Sequence, residues 1–496
     1  MGKWLKPLLT LLFGAAVWLF WWALYPQALN YAEQNQLFLW THSYFLERVS
    51  VAGGLADWIS EFLVQFFRIK WLGALILALL AIAMQASVLA AAGKKESGYW
   101  FASFIPPVLW TVMCGDMEFL LSYPVALISA LLLCRPFSAA GMNKLWAAPL
   151  LWWLIGPVAF IPVLYSLAAN RNRKELAAFL WTVAVSYLLY RLFLMQYPLG
   201  RVAFGLNYYR IGIHTPSTQI ILPIVALACV LFIKWLKPRG IAPVLNPLLT
   251  VAVIITGWFG AKASYDKDGW EILAYTALER ESAFPEIIKR AEKYQPKSAI
   301  SAVYVNFALA MEGELADRMW EFHQCGTSGL ILPSIRDNMS NVASCDILWM
   351  IGMNNIALQY AFDTQEAIPN GRKSGRFTSR IAECHIVNGH YEIARRYLDK
   401  LTHSIFYRKW ALERLAMIDA GDEGIDTDPV YRYLRRFGFQ DDFLANYNRL
   451  DVMMAILYKE NKSNIAAAIY YNAWQQLKKA DTQRNEENTD ISSHGS

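Results

Sequence analysis

The stretch LWAAPLLWWLIGPVAFIPVLYSLAA, residues 145–169, decides the fold of this 496-residue chain, because its path sets the orientation of every later segment. It is apolar almost throughout, and Gly156-Pro157 stands at its centre. Glycine and proline together interrupt a helix. The stretch therefore predicts a hairpin of two short helices that turns at Gly156-Pro157. The alternative is a single kinked span.

Lysine and arginine in the short loops favour the hairpin. Membrane proteins concentrate these residues in cytoplasmic loops. Lys144 precedes the stretch and Arg171 and Lys174 follow it, so both of its ends carry the cytoplasmic signature. Lys3 and Lys6 place the N-terminus on the same side. A single span would reverse the orientation of everything that follows.

Outside this stretch, the composition divides the chain into two halves. Hydrophobic residues make up 56% of the chain, and the mean hydropathy of +0.25 indicates a membrane protein. Apolar runs continue to about Gly260, and mixed, charged sequence follows. We predict a polytopic membrane domain over 1–262, a helical-repeat soluble domain over 263–480 and a disordered tail over 481–496. Besides the hairpin, the predicted spans are 4–25, 71–92, 99–115, 117–134, 176–194, 218–236 and 243–261.

Charge and cysteine content exclude some classes of function. The net charge is +6 without a long basic block, which argues against nucleic acid as a partner. The six cysteines show no Cys/His ligand spacing, so we expect no metal site. With the hairpin, the last span runs outward. The soluble half is then expected in the periplasm, with the membrane half in a bacterial inner membrane. One pair among Cys325, Cys345 and Cys384 could be bridged there.

The soluble half reads as successive amphipathic helices, and residues 379–418 form its clearest unit. A helix ends at Asn388-Gly389, and the next carries Tyr391 and Ala394. This pattern resembles tetratricopeptide repeats, which present a concave surface to peptides or proteins. The predicted fold class is therefore all-α, a polytopic membrane helix bundle followed by a soluble tetratricopeptide-like α-solenoid. The bilayer and a protein that binds the solenoid are the expected partners.

The long outer loop 26–70 contains a predicted helix near 54–69. Its apolar residues recur at i, i+3, i+4 and i+7, and Asp57, Ser60 and Glu61 fall on the other face. This pattern predicts an amphipathic helix in the interface plane. A helix packed on the bundle would show the same pattern.

Three outer segments gather the candidate site residues. The carboxylates Glu33, Asp116 and Glu118 are candidate catalytic groups, as general bases or metal ligands. Four residues of loop 195–217 are candidates for binding an anionic substrate: Arg201, Tyr208, Arg210 and His214. The simpler interpretation is that polar residues occupy outer span ends, where water is available.

Two resemblances bear on function. The segments GGLADWISEFLVQFF (53–67) leading into WLGALILALL, and IVNGHYEIARRYLDKL (386–401) followed by FYRKWALER, resemble an uncharacterised family of multi-pass membrane proteins from Bacteroidota. That family implies an architecture and no activity. The layout of Glu33, the helix at 55–67 and Asp116/Glu118 is similar to that of GT-C-type lipid-linked sugar transferases. Those enzymes usually carry an Asp or Asp-Glu pair after span one, where NYAEQNQ offers only Glu33.

Two functions follow as hypotheses, and the sequence leaves the cofactor of either one unknown. One is an anchored scaffold whose periplasmic repeat domain recruits a protein or another envelope component. The other is a transferase that uses a lipid-phosphate-linked sugar donor, with Asp116 or Glu118 activating the acceptor and Arg201 and Arg210 holding the diphosphate. A transporter ranks last, because few ionisable residues fall at mid-span depth.

Overall fold

The computed structural model describes residues 2–93, 99–116, 120–204, 218–236, 242–265, 267–333, 337–368, 372–438 and 449–494. Within these ranges the secondary structure is helical, as the all-α prediction requires, and no β-strand forms. The chain divides into two compact units, Met1–Asp266 (unit 1) and Lys267–Ser496 (unit 2).

The described helices of unit 1 differ in length and in apolar character. They are α1 (Gly2–Leu19), α2 (Pro26–Gln34), α3 (His42–Val49), α4 (Gly54–Val64), α5 (Lys70–Ala92), α6 (Ile105–Met113), α7 (Ser122–Ala139), α8 (Lys144–Ile155), α9 (Phe160–Asn170), α10 (Arg173–Phe193), α11 (Leu199–Phe204), α12 (Thr218–Trp235) and α13 (Ala242–Ala263). A π-helical turn, Phe20–Leu24, extends α1. Tight 3₁₀ turns occupy Gln65–Arg68, Trp100–Phe104, Gly141–Asn143 and Gly156–Ala159.

Six segments among the described residues are long and apolar enough to cross a membrane, by length and composition. They are Trp4–Leu24, Lys70–Ala92, Ser122–Ala139, Lys144–Asn170, Arg173–Phe193 and Val244–Ala263. Trp100–Met113 and Ile220–Trp235 are shorter apolar helices at two further predicted spans. The span predicted at 117–134 is displaced, because α7 begins at Ser122 and continues past Arg135 to Ala139.

Helix α5 lies at the centre of unit 1 and packs on α1, α6, α7 and α12. Its buried face is built from small residues such as Ala74, Ala78, Ala81 and Ala91. Small side chains let apolar helices approach closely, and dispersion contacts then hold them together. One interhelical hydrogen bond adds to this packing, from Gln85 Nε2 on α5 to Ser103 Oγ at 2.9 Å.

Residues 144–170 fold back on themselves as a hairpin. Lys144 Nζ, at the start of α8, lies 3.1 Å from Ser166 Oγ near the end of α9. A continuous helix would separate these residues by about 33 Å at 1.5 Å per residue. Gly156, with φ of +70°, makes the turn that sequence analysis expected at this position. Helix α8 is about 18 Å long, which is shorter than the hydrocarbon core of a bilayer.

A buried ion pair closes the base of the hairpin. Lys144 Nζ donates to Glu175 Oε1 at 2.6 Å, and both side chains are only 7% exposed. Ser166 Oγ donates to the other carboxylate oxygen at 2.7 Å, and Asn170 Nδ2 donates to Oε1 at 2.9 Å. The Asn172 side chain caps α10 through the backbone amide of Glu175. The buried carboxylate is thus fully surrounded by donors.

The tip of the hairpin is held by the turn between α3 and α4. The Gly53 amide donates to the carbonyl of Trp153 at 2.8 Å, and Trp153 Nε1 donates to the Val49 carbonyl at 2.9 Å. A Cβ on Gly53 would lie 3.6 Å from the Cα of Gly156. The backbones meet directly here, so glycine at both positions allows the close approach.

The helix predicted near 54–69 has its faces arranged differently from the expectation. Ser60, Glu61 and Gln65 are buried against unit 1, whereas Trp58 and Phe62 are only half-buried. The physical reason is a polar contact that the helix alone does not reveal. Glu61 accepts a hydrogen bond from the Tyr44 hydroxyl and lies 3.1 Å from Arg48 Nε. Helix α4 therefore turns its acid inward and part of its aromatic face outward.

The described part of unit 2 contains a series of helices. They are α14 (Lys267–Arg280), α15 (Phe284–Lys293), α16 (Ala299–Met311), α17 (Leu315–Arg318), α18 (Asn338–Ile351), α19 (Asn354–Ala367), α20 (Gly375–Val387), α21 (Tyr391–Thr402), α22 (Arg408–Asp419), α23 (Gly421–Ile425), α24 (Pro429–Phe437), α25 (Leu450–Glu460) and α26 (Ile465–His494). Helices α18 to α22 each pack on the next in sequence. Between α20 and α21 the turn uses Gly389 with φ of +74°, and Ala394 and Leu398 are fully buried.

Helix α26 runs from Ile465 to His494 and so includes most of the tail from Asp481 that sequence analysis predicts to be disordered. Two features favour this helix. Helix α26 packs on α16, α17 and α18, and the Asp481 carboxylate accepts a hydrogen bond from the Thr327 amide at 3.2 Å. Beyond Asp481 the sequence contains neither proline nor glycine until Gly495, so nothing interrupts the helix.

Candidate functional site

The predicted catalytic carboxylates differ in their surroundings. Glu33 lies on α2 and is 3% exposed, with Arg68 Nη1 3.9 Å from its Oε1. Its carboxylate is therefore enclosed by the protein and faces a cation. Asp116 follows α6 and is partly exposed. Glu118 lies outside the described residues.

Asp116 lies where the ends of α6 and α13 converge. A Cβ on Gly115 would come within 2.9 Å of the Ser264 carbonyl, and one on Gly257 would lie 2.2 Å from Val108 Cγ1. Gly257, Gly260 and Ser264 share one face of α13, and this face lies against α6. Helices α6 and α13 are thus in close contact up to the turn that holds Asp116.

The predicted anion-binding residues are only partly placed. Arg201 lies on the short helix α11, which packs on the hairpin turn Gly156–Ala159. Tyr208, Arg210 and His214 lie outside the described residues. The structure therefore locates Arg201 near the hairpin tip and Asp116 at the end of α6.

Unit 2 contains a set of charged residues that sequence analysis missed, and its centre is Arg376 on α20. Arg376 Nη2 donates to Glu279 Oε2 on α14 and to Asp346 Oδ2 on α18, each at 2.6 Å. Arg380, one turn further along α20, donates to Asp346 Oδ1 at 3.0 Å. One arginine pair thus joins three helices that are distant in sequence.

The same set continues to α22 and α24. Arg380 Nη1 donates to Glu383 Oε2 at 2.9 Å, and Tyr431 donates through its hydroxyl to Glu383 Oε1 at 3.1 Å. Arg414 Nε donates to the Tyr431 hydroxyl at 3.4 Å, and Arg414 Nη2 lies 3.5 Å from Asp428 Oδ2. We call this continuous set, from Glu279 to Asp428, the arginine ladder.

Burial changes the acid–base properties of the ladder. Burial raises the pKa of Glu279 to about 7, and the Asp346 carboxylate adds to this rise while Arg376 opposes it. Burial likewise raises the pKa of Glu383, against the opposing effect of Arg380. The side chains of Arg380, Glu383 and Arg414 remain 16–20% exposed, so one side of the ladder reaches solvent.

The sequence does carry a signal for this site. Arg376, Arg380 and Glu383 follow one another at i, i+4 and i+7, which places all three on one face of α20. Such a stripe is usually a solvated face. Its burial depends on acids 97 and 30 residues away, which only the tertiary fold brings together.

Other site chemistries find no support among the described residues. All six cysteines are free thiols, so the bridge considered in unit 2 does not form. Within the described ranges no three His, Cys, Asp or Glu side chains group as metal ligands.

The comparisons with known proteins concern the whole chain. No curated protein and no solved structure matches it. A family model described as a family of unknown function (DUF6057) matches residues 2–484. Because that match covers almost the whole length, as expected for a member of an uncharacterised family, this chain belongs to the DUF6057 family of unknown function.

Proposed function

We propose that this membrane protein serves as an anchored binding protein. Unit 1 fixes the chain in a bacterial inner membrane, and unit 2 acts as a tetratricopeptide-like α-solenoid in the periplasm. The solenoid binds a protein or another envelope component through the arginine ladder. Several helices of unit 1 have the length and composition of membrane spans, which supports the anchoring role.

The observation that carries the proposal is the continuity of the ladder across α14, α18, α20, α22 and α24. In stacked helical repeats, equivalent helices line one common surface, and partners bind along it. Because these five helices are joined by the hydrogen bonds of the ladder, their charged residues lie along one common side. The helices that alternate with them along the chain, such as α21, contribute no residue to the ladder.

The side chains of the ladder suit binding. Arg380 lies over the ring of the buried Trp349 at 4.8 Å, which holds its guanidinium in place, and Arg414 lies over the ring of the partly exposed Trp410 at 4.9 Å. Arginine and tryptophan are among the residues that carry most of the binding energy at protein interfaces. Because ion pairs already hold these side chains in place, a partner would lose little side-chain entropy by binding them.

Site-specific photo-crosslinking in intact cells tests the proposal. A photoreactive residue at Trp410, which is partly exposed beside Arg414, is expected to form an adduct of discrete mass. The matched control is the same residue at Arg396, exposed on α21. The adduct at 410 should weaken severalfold in an Arg414→Gln background and persist in a Lys400→Gln background.

Two outcomes would contradict this role. Equal adducts at 410 and 396 would mean contact without a defined surface. An adduct at 410 that is insensitive to Arg414→Gln would mean that the ladder does not take part. The orientation is tested separately by alkaline phosphatase joined to the C-terminus, which is active only in the periplasm.

A lipid-linked sugar transferase of GT-C type is the second candidate function, and the partial exposure of Asp116 favours it. Glu33 is buried, so Asp116 is the partly exposed acid among the described residues of the predicted set. In this hypothesis Asp116 activates the acceptor at the outer membrane surface. Asp116→Asn should then abolish a surface glycan while the protein still accumulates, whereas unchanged glycans would rule the transferase out.

A further inference from the structure

A groove open on one side lies among α1, α6 and α13 of unit 1. Its walls include Phe13 and Phe20 of α1, Thr111 of α6, and Gly257 and Trp258 of α13. Apart from Thr111, every residue of this lining is apolar, aromatic or a glycine. Counting its open side, the groove contains about 330 Å³ of space that no protein atom fills.

Close packing of α13 on α6 forms one wall of this space. Gly257 and Gly260 bring α13 against Val108 and Val112 of α6. At the end of the groove nearest Tyr25 and Tyr265, the rings of Phe20 and Trp258 meet edge to face at 5.3 Å. These two rings keep α1 and α13 apart. The groove therefore follows from backbone contact with α6 and aromatic spacing from α1.

The helices that line the groove carry further exposed apolar side chains. Leu11, Leu12 and Trp22 of α1 are exposed, as are Ile255 and Phe259 of α13. Both helices belong to segments that are long and apolar enough to cross a membrane. Water gains no hydrogen bonds in an apolar groove, so hydrocarbon is the medium that fills it.

One end of the groove carries a cation. Lys262 is exposed and follows Ala261, which lines the groove, and its ammonium lies 5.4 Å from the Trp258 ring. The stacked rings of Tyr25 and Tyr265, 4.1 Å apart, mark the same end. Aromatic side chains with a lysine are typical of the level of lipid headgroups.

The turn that holds Asp116 lies against another face of α13. Gly115 contacts Ser264, which therefore faces α6 and the turn that holds Asp116. Lys262 is two residues before Ser264, which is about 200° around the helix. Lys262 and Trp258, four residues apart, share the face that borders the groove. Lys262 thus places a cation on the groove side of α13, on a different face from the contact with the Asp116 turn.

We propose that this groove binds one acyl chain of an anionic bilayer phospholipid, whose phosphate contacts Lys262. The chain runs from Trp258 toward Phe13, and the headgroup stays at the level of Tyr25 and Tyr265. A single lysine close to the membrane surface favours an anionic lipid over a zwitterionic one by about fivefold.

Native mass spectrometry of the full-length protein, released from nanodiscs, tests the proposal. The probes are phosphatidylglycerol and phosphatidylcholine with identical acyl chains. The wild-type protein should retain one phosphatidylglycerol in preference to phosphatidylcholine. Lys262→Gln should reduce this preference about fivefold, and Lys6→Gln, at the opposite end of α1, should leave it unchanged.

A second pair of variants tests the groove itself. Ala16→Phe places a ring inside the groove and should lower retention of both lipids, whereas Ala15→Phe adds the same ring on the exposed side of α1. Equal retention by these two variants would overturn the proposal, and so would equal affinity of the wild type for the two lipids. If Ala16→Phe does not fold, the exposed Lys262→Gln variant still decides the outcome.

Discussion

The two units of this protein handle buried charge in opposite ways. In unit 1, Lys144 and Glu175 form an isolated pair, with hydroxyl and amide groups as the surrounding donors. In unit 2, Asp346 accepts from two arginines, and Arg376 donates to two acids. Unit 1 also carries most of the exposed large apolar side chains. Its surroundings therefore offer fewer polar groups that could pair with a charge that has lost its partner.

This difference has an energetic consequence. When one partner of an isolated buried pair is lost, the other charge stays uncompensated, and this costs far more than the pair contributes. When one partner of a network is lost, its neighbours keep other contacts. A single substitution in the isolated pair of unit 1 should therefore cost more free energy of unfolding than a single substitution in the network of unit 2.

The largest effect is expected from Glu175→Gln at the base of the hairpin. The variant leaves the Lys144 ammonium buried without its counter-charge, so the free energy of unfolding should fall by about 3–5 kcal/mol. Unfolding of the full chain in lipid nanodiscs measures the loss. The double variant Lys144→Met, Glu175→Leu should recover most of it; equal losses in both would show that the ion pair is not the cause.

A smaller effect is expected from Arg376→Met in the ladder. The change removes two charge-assisted hydrogen bonds. Asp346 keeps Arg380, and the buried Glu279, whose pKa is already raised to about 7, takes up a proton instead of staying charged, so the cost should be about 2 kcal/mol. Hydrogen exchange should increase in α14 and α18 and stay constant in unit 1. Arg396→Met on the exposed face of α21 is the control. A cost greater than that of Glu175→Gln would contradict the expectation that the network of unit 2 tolerates the loss of one partner better than the isolated pair of unit 1.

A pH effect sharpens the comparison further. The pKa of Glu279 is about 7 in the folded protein, above its ordinary value of 4.5, so the folded state binds more protons between these pH values. Its contribution to stability is therefore greatest at acidic pH and is lost as pH rises toward 7, by at most about 1.4 kcal/mol per pH unit. Glu279→Gln should remove this slope. Identical pH profiles for unfolding of the variant and the wild type would contradict it.

The smallest effect is expected from the exposed ion pair of Arg395 and Asp419. Their side chains are 32% and 65% exposed, although Arg395 Nη2 lies 2.6 Å from Asp419 Oδ1. Solvent screens such pairs, so Asp419→Asn should change the free energy of unfolding by less than about 0.5 kcal/mol. A loss comparable to that of Arg376→Met would mean that burial does not set the ranking.

The parts of the fold that local sequence encodes could be predicted. Gly156-Pro157 marked the hairpin turn, and the lysines and arginines at its two ends indicated that it folds back, as the Lys144–Ser166 contact shows. The faces of α4 could not be predicted in the same way. Its periodicity placed Glu61 on the polar side, but only contact with Tyr44 and Arg48 makes burial of that side favourable.

The candidate site shows the same limit. Glu33 was chosen for its position after the first span, and the sequence could not reveal that it is enclosed with Arg68. The ladder was overlooked because Glu279, Asp346 and Arg376 come from three separate helices. Each looks like an ordinary surface charge within its own helix, and their association depends on how those helices stack.

The contact between the hairpin tip and the first loop also bears on how the chain assembles. Val49 precedes Trp153 by 104 positions, so the ribosome releases the first loop well before the hairpin exists. Until Trp153 arrives, the Val49 carbonyl and the Gly53 amide lack the partners that they have in the native state. The hairpin therefore completes a backbone contact whose other half is synthesised earlier, while α10 to α13 of unit 1 are still to follow.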